Sequence, residues 1–375
     1  MINYLVGFCF LVLPVVTFKM SYDAFEYPKV ILFVFMVNLV LATKLWPIIN
    51  EPRKFLKPSN IDKLLIIFWG CLVTTWGING FPAVSFWGQY YRYDGLMTLG
   101  AYLGIYFLIS RFGESRVIHK VLNIAGVIFP IYILANGIMS LGFKLPIYTF
   151  FGRIAGTFGN PNFAAGFLAL IFPYLLFYPK TSSKVKISVA IITLIALSLT
   201  QSRSGLLAFL TTLICYAIYQ YKVSLRIIVP IGLGMLAIMF VAIPRYSPVE
   251  NQLTIWQKAI KAIEKRPVTG WGMERFDAAF SSTLIPNKDF DLFKIRVDKA
   301  HNEILEYGVA GGVFTMLVYI LLLVQVLVKL IRSKKSPWIL ANTFSLVAYL
   351  VLSQLNVLNV TEHMFLYLIL ASLAI

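Results

Sequence analysis

About twelve long apolar runs fill most of this 375-residue sequence, and they leave only one fold class open. Each run approaches the roughly 20 residues that an α-helix needs to cross a bilayer. Charged residues make up only 13% of the chain, too few to cover a soluble protein of this length. We therefore predict an all-α, polytopic membrane protein with a single membrane domain over residues 1–375. The runs lie at 4–18, 28–46, 64–79, 95–110, 117–141, 161–178, 185–200, 204–220, 226–243, 304–328, 337–355 and 363–375.

The basic residues between these runs predict the orientation in the membrane. The start, MINYLVGFCF, lacks a basic segment and a small-residue cleavage site, so we interpret it as the first membrane helix. With the N-terminus in the cytoplasm, the inner loops hold 17 Lys and Arg residues and the short outer loops hold 6. The positive-inside rule favours this arrangement, which makes the long loop 244–303 before helix ten extracytoplasmic. The net charge of +17 thus reflects topology, and no nucleic-acid partner is expected.

Three arginines lie on the predicted outer side, where the positive-inside rule disfavours them. Arg92, Arg153 and Arg203 each precede or begin a helix that runs back into the membrane. A surface arginine that reaches lipid headgroups is the ordinary explanation for any one of them. A helix N-terminus, however, offers free N–H groups and a positive partial charge, which makes an adjacent arginine unfavourable unless an anion lies between them. The three together indicate a phosphate or pyrophosphate site.

The turns that hold these arginines also contain helix-capping residues. In RYDGL, Asp94 is a candidate N-cap for the following helix. In GRIAGTFGNPNFAAG, Asn160 is the candidate N-cap and Pro161 the first helical residue. Gly, Asn and Pro are ordinary turn formers, so the turns are expected whether or not an anion binds there.

The long outer loop contains an amphipathic segment, LTIWQKAIKAIEK. Its spacing is typical of a helix that lies on the membrane interface. One face is predicted to carry Leu253, Trp256, Ile260 and Ile263, and the other faces Lys258, Lys261, Glu264 and Lys265.

His301, at the end of the long loop, is the candidate general base. A neutral imidazole with an ordinary pKa of about 6.5 can accept a proton from a hydroxyl group. The alternative is a hydrogen-bonded loop histidine with no chemical role. Glu303 lies two residues on, so a helix would point it to another face. His119 falls on the inner side, and His363 is interpreted as a residue at the boundary of the last helix.

Several chemistries find no support in the sequence. Cys9, Cys71 and Cys215 lie inside apolar runs, with spacing that suits neither a metal site nor a disulfide framework. There is no HExxH, Walker or GxSxG motif. We therefore expect no metal and no cofactor.

The motifs, in this order, resemble the O-antigen ligase and O-antigen polymerase superfamily of bacterial envelope enzymes. The matching stretches fall within residues 90–312 and are YYRYDGL, GRIAGTFGNPNFAAGFLA, LTQSRSGLLAF, the Trp256 segment running into RPVTGWG, and AHNEILEYGVAGG. The resemblance implies transfer of a glycan from an undecaprenyl-pyrophosphate carrier to an acceptor hydroxyl, without a metal, on the outer face of the inner (cytoplasmic) membrane. The acceptor is a glycan, a lipid or a protein.

The resemblance also assigns roles to particular residues. The family's loop histidine corresponds to His301, and its phosphate-binding arginines correspond to Arg203 and Arg153, with Arg92 a further candidate. Asn160 and Asn302 are added as substrate-binding candidates because they lie in the matching motifs.

Several functions stay open at this point. The resemblance does not separate a ligase from a polymerase or a protein O-oligosaccharyltransferase. The alternative from another class is a transporter or flippase for an anionic solute. A transporter would explain the outer arginines, but it does not call for a sixty-residue polar loop that ends in His301.

Overall fold

The structure is a computed structural model that describes residues 1–18, 23–55, 58–142, 149–150, 152–222, 252–285, 289, 292 and 296–373. Nearly all of its regular structure is helical. The first helix, α1 (Ile2–Gly7), continues through a π-helical stretch, Phe8–Val12, and a 3-10 turn, Leu13–Val15. The other helices are α2 (Glu26–Asn50), α3 (Pro52–Phe55), α4 (Asn60–Ile78), α5 (Ala83–Trp87), α6 (Leu96–Phe112), α7 (Ser115–Gly142), α8 (Pro161–Leu176), α9 (Ser183–Thr200), α10 (Arg203–Tyr221), α11 (Gln252–Lys265), α12 (Phe276–Ser281), α13 (Glu303–Arg332), α14 (Pro337–Leu355) and α15 (Val360–Ser372). Within the described residues the only strands are β1 (Thr149–Phe150) and β2 (Arg153–Ile154), which pair antiparallel.

These helices confirm the predicted fold class. Seven are long and apolar enough to cross a membrane, and four shorter apolar helices accompany them. Together they match eleven of the twelve predicted apolar runs. The remaining run, 226–243, lies outside the described residues.

Two short helices, α8 and α15, form the centre of the bundle. Almost every residue of both is buried, and α8 contacts α7, α9, α10, α14 and α15. Small residues on α8, among them Ala164, Ala165 and Gly166, let the neighbouring helices approach closely. With 16 residues, α8 is about 24 Å long, shorter than a hydrocarbon core of about 30 Å.

Helix α13 is interrupted near its start, where a single continuous run was predicted. Gly312 has φ +80°, a conformation that glycine adopts without strain. The break frees the carbonyls of Val309 and Ala310, which accept hydrogen bonds from the backbone N–H groups of Trp271 (2.8 Å) and Gly272 (2.9 Å). The RPVTGWG turn is thereby docked on the first turns of α13. The two motifs are thus parts of one local structure.

Helix α11 forms where the amphipathic segment predicts it, but its buried face differs from the predicted one. The buried residues of α11, which packs against α13, are Ile255, Lys258, Ala259, Ala262 and Ile263, and of these only Ile263 belongs to the predicted apolar face. Lys258 was assigned to the polar faces; its ammonium group instead reaches Asp289 and the Thr283 carbonyl. The alanines allow this close packing because they add little side-chain volume. Leu253 and Ile260 remain exposed, so an apolar stripe is still presented outward.

The capping predictions have different outcomes. Asn160 is the N-cap of α8, with its side chain accepting a hydrogen bond from the Asn162 N–H, and Pro161 is the first helical residue, as predicted. The prediction for Asp94 is wrong, because Gly95 is the N-cap of α6 and makes no side-chain cap. The Asp94 carboxylate instead points toward another helix, as described below.

Candidate active site

His301 lies in the loop that leads into α13, and its backbone is left-handed, with φ +53°. A non-glycine residue in this region costs about 1–3 kcal/mol and persists only where the surrounding structure requires it. The side chain is half-buried and lines a cavity of about 30 Å³, which we call the His301 cavity. Such a volume holds about one water molecule or one hydroxyl group. The polar residues around it are Asp94, Lys299, Asn302, Glu303, Glu306, Asn356 and His363.

The surroundings keep the His301 imidazole neutral. The pKa of His301 is lowered to about 4, mainly by burial and next by the nearby Arg92 cation, while Asp298 acts in the opposite direction. The imidazole is therefore unprotonated at neutral pH and has a lone pair ready to accept a proton. The neutral imidazole can accept the proton of an alcohol group that enters the cavity, and the lowered pKa makes it a weaker base than a free imidazole.

Arg92 forms a two-point ion pair with Asp298. Its Nε lies 2.6 Å from Asp298 Oδ2 and its Nη2 lies 3.2 Å from Oδ1. The pair joins the loop before α6 to the loop that carries His301. Arg92, predicted to bind substrate, is thus brought beside His301, and much of its hydrogen-bonding capacity is engaged by a carboxylate of the protein.

His363 lines the same cavity, between two carboxylates. Its Nε2 lies 3.3 Å from Asp94 Oδ2, and its Nδ1 lies 3.1 Å from Glu303 Oε1. The Glu303 contact is an ion-pair distance without the alignment of a hydrogen bond. The other Glu303 oxygen accepts hydrogen bonds from the hydroxyls of Tyr319 (2.6 Å) and Tyr349 (2.7 Å). His363 is thus held by carboxylates from two other elements, the loop before α6 and the start of α13.

Lys299 fixes the loop from the other side. Its ammonium group pairs with the carboxylates of Glu274 and Glu306. The Glu306 Oε2 atom also accepts a hydrogen bond from the Ala300 N–H at 2.8 Å. Glu274 is itself left-handed, with φ +58°. The backbone on the N-terminal side of His301 is therefore held by buried, charge-assisted contacts, which are the stronger class of hydrogen bond.

Arg153 lies in a second cluster, at the turn between α9 and α10. Its Nε donates to the Thr200 carbonyl (2.9 Å), and its Nη2 donates to Asn162 Oδ1 (2.9 Å) and the Gln201 carbonyl (3.2 Å). These carbonyls end α9, where the helix dipole favours a cation. The unfavourable charge predicted for this turn is thus relieved in part by the protein itself.

Arg203 is the first residue of α10 and shares this turn with Arg153. Ser202 is the N-cap, and its hydroxyl accepts from the Gly205 N–H at 3.3 Å. Helix α8 packs against α10 beside this cluster and against α15, the helix that carries His363. A Cβ at Gly205 would lie 2.3 Å from Ala165 Cβ, and one at Gly166 would lie 1.6 Å from Glu362 Oε1. The two clusters therefore flank the N-terminal half of α8.

The two asparagine candidates are both helix caps. Asn160 Oδ1 accepts from the Asn162 N–H at 2.9 Å, and Asn302 Oδ1 accepts from the Leu305 N–H at 3.1 Å. Of the two, Asn302 lines the His301 cavity. A role in substrate binding stays a prediction for both.

Six of the seven polar residues around the cavity were not predicted as site residues, and three of the six had been interpreted in other ways. Sequence reasoning took His363 for a boundary residue, separated Glu303 from His301 by helical spacing, and gave Asp94 a capping role. Helical spacing shows which residues share a face of one helix, but it says nothing about α6, α13 and α15 meeting. The available signal was the presence of ionisable residues at the starts of otherwise apolar helices, which is typical of functional positions in membrane proteins.

Comparison with known families supports a function for this arrangement. Residues 188–320, about a third of the chain, match the family model Wzy_C, described as O-antigen ligase. The match runs from α9 to the middle of α13 and includes Arg203 and His301. Comparison with curated proteins finds no significant match. The family match supports membership of the O-antigen ligase superfamily and a membrane enzyme of the glycan ligase or polymerase type.

Proposed function

Starting from an O-antigen ligase domain at residues 188–320, we propose that this protein is a metal-independent glycosyltransferase. The donor is a glycan linked to undecaprenyl pyrophosphate, and the acceptor is a hydroxyl group of a glycan, lipid or protein. Transfer takes place on the outer side of the cytoplasmic membrane, where the charge asymmetry predicts the long loop.

The observation that carries this proposal is the state of His301. A neutral, half-buried imidazole is held in a left-handed conformation beside a cavity about the size of one hydroxyl group. Strain that the fold maintains at a residue able to accept a proton is characteristic of functional positions.

In the proposed step, the acceptor hydroxyl attacks the anomeric carbon of the carrier-linked sugar. The new bond joins the acceptor oxygen to that carbon, and the hydroxyl proton passes to His301. The bond from the anomeric carbon to the pyrophosphate oxygen breaks, and the carrier pyrophosphate leaves with the bonding electrons. Holding both substrates in one outer site lowers the entropic part of the barrier.

The leaving pyrophosphate is assigned to the Arg203 cluster. Arg203 and the N-terminus of α10 supply a cation and backbone N–H groups, and Arg153 holds this turn against the start of α8. Preorganised donors of this kind stabilise charge that develops on a leaving group.

Two measurements in the producing cell test the function. Deletion of this protein should make carrier-linked glycan accumulate on the outer leaflet and should remove the glycan from one class of acceptor molecule. Identification of that acceptor separates a ligase from a polymerase and from a protein glycosyltransferase. Accumulation on the inner leaflet instead would favour a flippase.

A variant of His301 tests the mechanism. His301→Ala should reach the membrane at normal levels and bind donor, but transfer should be slower by about 10²–10⁴-fold, the usual contribution of a general base. Transfer from a purified carrier-linked donor, normalised to folded protein, provides the measurement. Wild-type rates in this variant would remove His301 from the mechanism.

A further inference from the structure

An open groove of about 540 Å³ lies next to the His301 cavity. One wall is formed by the end of α5 and the residues after it, and the other by the loop and first turn around α12. The side chains that define it are Trp87, Gln89, Tyr90, Arg275, Asp277 and Arg296. We call it the aromatic groove.

The aromatic side of the groove is exposed but held in place. Trp87 is 57% exposed and Tyr90 is 44% exposed. The backbone after them is constrained, because Gly88 has φ +93° and Tyr91 is left-handed with φ +70°. The Phe86 ring packs edge-on against Trp87, with centroids 5.0 Å apart. The rings of Trp87 and Tyr90 are thus exposed on a loop whose backbone is constrained.

The opposite side of the groove is polar. Asp277 accepts hydrogen bonds from Gln89 Nε2 at 3.0 Å and from Arg296 Nη2 at 3.3 Å. Arg275 adds a second cation. Carboxylate, amide and guanidinium groups beside an aromatic surface provide donors and acceptors for hydroxyl groups, together with a flat apolar face. A sugar unit, which has a C–H face and a ring of hydroxyls, matches this combination.

The groove and the His301 cavity share a wall. Met273 lines the cavity and the next residue, Glu274, lines the groove. Glu274 Oε2 accepts from the Gln89 N–H at 2.9 Å, and its other oxygen pairs with Lys299, which lines the cavity. The groove and the cavity are therefore neighbours, separated by the buried Glu274–Lys299 pair.

We propose that the aromatic groove binds the sugar units of a glycan acceptor, whose terminal hydroxyl enters the His301 cavity. This inference rests on the proposed function, and it selects a glycan acceptor over a protein or a simple lipid. Exposed tryptophan and tyrosine also occur at membrane interfaces. The concave shape and the charged residues that line the groove favour the glycan.

Binding can be measured without the transfer reaction. The probe is a set of oligosaccharides released by mild acid hydrolysis from the surface polysaccharide of the producing cell, titrated against the full-length protein in lipid nanodiscs. These fragments lack pyrophosphate, so they do not engage the proposed phosphate contacts of the Arg203 cluster. Maltoheptaose serves as an unrelated oligosaccharide.

Trp87→Ala and Tyr90→Ala should each weaken oligosaccharide binding about tenfold, the usual loss for an anchoring aromatic side chain. Trp87→Phe retains a ring and should bind within a few fold of wild type, which separates loss of stacking from misfolding. Trp46 is the matched control: it is a 75% exposed tryptophan near the C-terminal end of α2 and does not line the groove. Trp46→Ala should bind the oligosaccharides normally.

The test of the groove can be separated from the test of the catalytic mechanism. Loss of transfer in His301→Ala tests the proposed function, whereas oligosaccharide binding by the wild-type protein and by the Trp87 and Tyr90 variants tests the groove. Absence of binding to the wild-type protein, equal binding of maltoheptaose, or unchanged binding by both alanine variants would overturn the groove assignment. Unchanged binding would leave Trp87 and Tyr90 as membrane-interface residues.

Discussion

Ion pairs occur at both ends of the bundle, but the two sets are built differently. At the predicted inner end, Asp62 accepts from Arg111 Nη2 (2.9 Å), from the Tyr106 hydroxyl (2.9 Å) and from the Ser59 N–H (2.5 Å). Ser59 and Asp62 form a capping box at the start of α4. Both carboxylate oxygens have partners, and the backbone there follows ordinary helix geometry.

The predicted outer end combines ion pairs with strain and space. His301 and Glu274 are left-handed, and His363, Asp94 and Glu303 surround a cavity. Strained conformations and cavities both cost stability, whereas the capping box at α4 contributes to it. The comparison indicates that buried charge alone does not mark a site in this protein. Charge combined with strain and an open volume does.

The largest expected effect concerns which end faces outward. Single cysteines at Ser281 and Ser333, in a protein lacking the three native cysteines, should differ completely in labelling by a membrane-impermeant thiol reagent on intact cells. Ser281→Cys should react and Ser333→Cys should not, because the 17-to-6 charge asymmetry places the long loop outside. The reverse pattern would exchange the two ends.

Arg203 distinguishes a pyrophosphate clamp from a headgroup anchor. Lysine keeps the charge but loses the planar, two-point geometry of the guanidinium. A charge-assisted hydrogen bond contributes about 1.5–3 kcal/mol, so Arg203→Lys should lower the efficiency of transfer roughly tenfold to a hundredfold. Arg203→Ala should lower it further. Transfer from a purified donor measures the series, with Arg226→Lys on the predicted inner side as control. Equal activity of arginine and lysine would favour the anchor.

The pH dependence tests the electrostatic environment of His301. The base must be neutral to act, and the pKa of His301 is lowered to about 4 by burial and by Arg92. Activity should therefore persist down to about pH 4 and disappear as the pH falls through that value, measured as kcat/KM, which reports the free enzyme. Arg92→Gln removes the cation, so the pKa of His301 should rise. The acid limb of the pH profile, where activity falls as His301 becomes protonated, should therefore move to higher pH.

Arg266 provides the control for that shift. It is a cation of the same outer loop whose guanidinium packs on the Trp271 ring, 4.0 Å from the centroid. Arg266→Gln should leave the acid limb in place. An unchanged limb in Arg92→Gln would show that Arg92 does not set the protonation of His301.

The smallest effect on chemistry is expected at the inner cluster. Asp62→Asn weakens the contacts to Arg111, Tyr106 and Ser59, and should lower the free energy of unfolding by about 1–3 kcal/mol. Thermal unfolding in detergent should show this loss. Transfer per folded protein should stay at the wild-type level. A specific loss of transfer in this variant would contradict the contrast between the two ends.

Local sequence patterns determined the helices and several of their boundaries. Apolar runs of membrane length predict the spanning helices because a backbone in lipid must satisfy its own hydrogen bonds. Asn160 followed by Pro161 identifies the start of α8, since a cap and a fixed φ act over a few neighbouring residues. Periodicity also located α11, although the choice between its faces depended on what it packs against. The position of His301 at the end of the outer loop was visible as well.

Only the tertiary structure decided which distant side chains meet. Asp94, Glu303 and His363 come from three different helix starts, and no spacing along the chain relates them. Arg92 acquires a carboxylate partner 206 residues away, and Arg153 is satisfied by the end of α9. Ionisable groups act through space over a few ångströms, whereas sequence patterns report neighbours along the chain. The residues of the site could therefore be proposed one by one, but their protonation and pairing followed from the packing of α6, α8, α13 and α15.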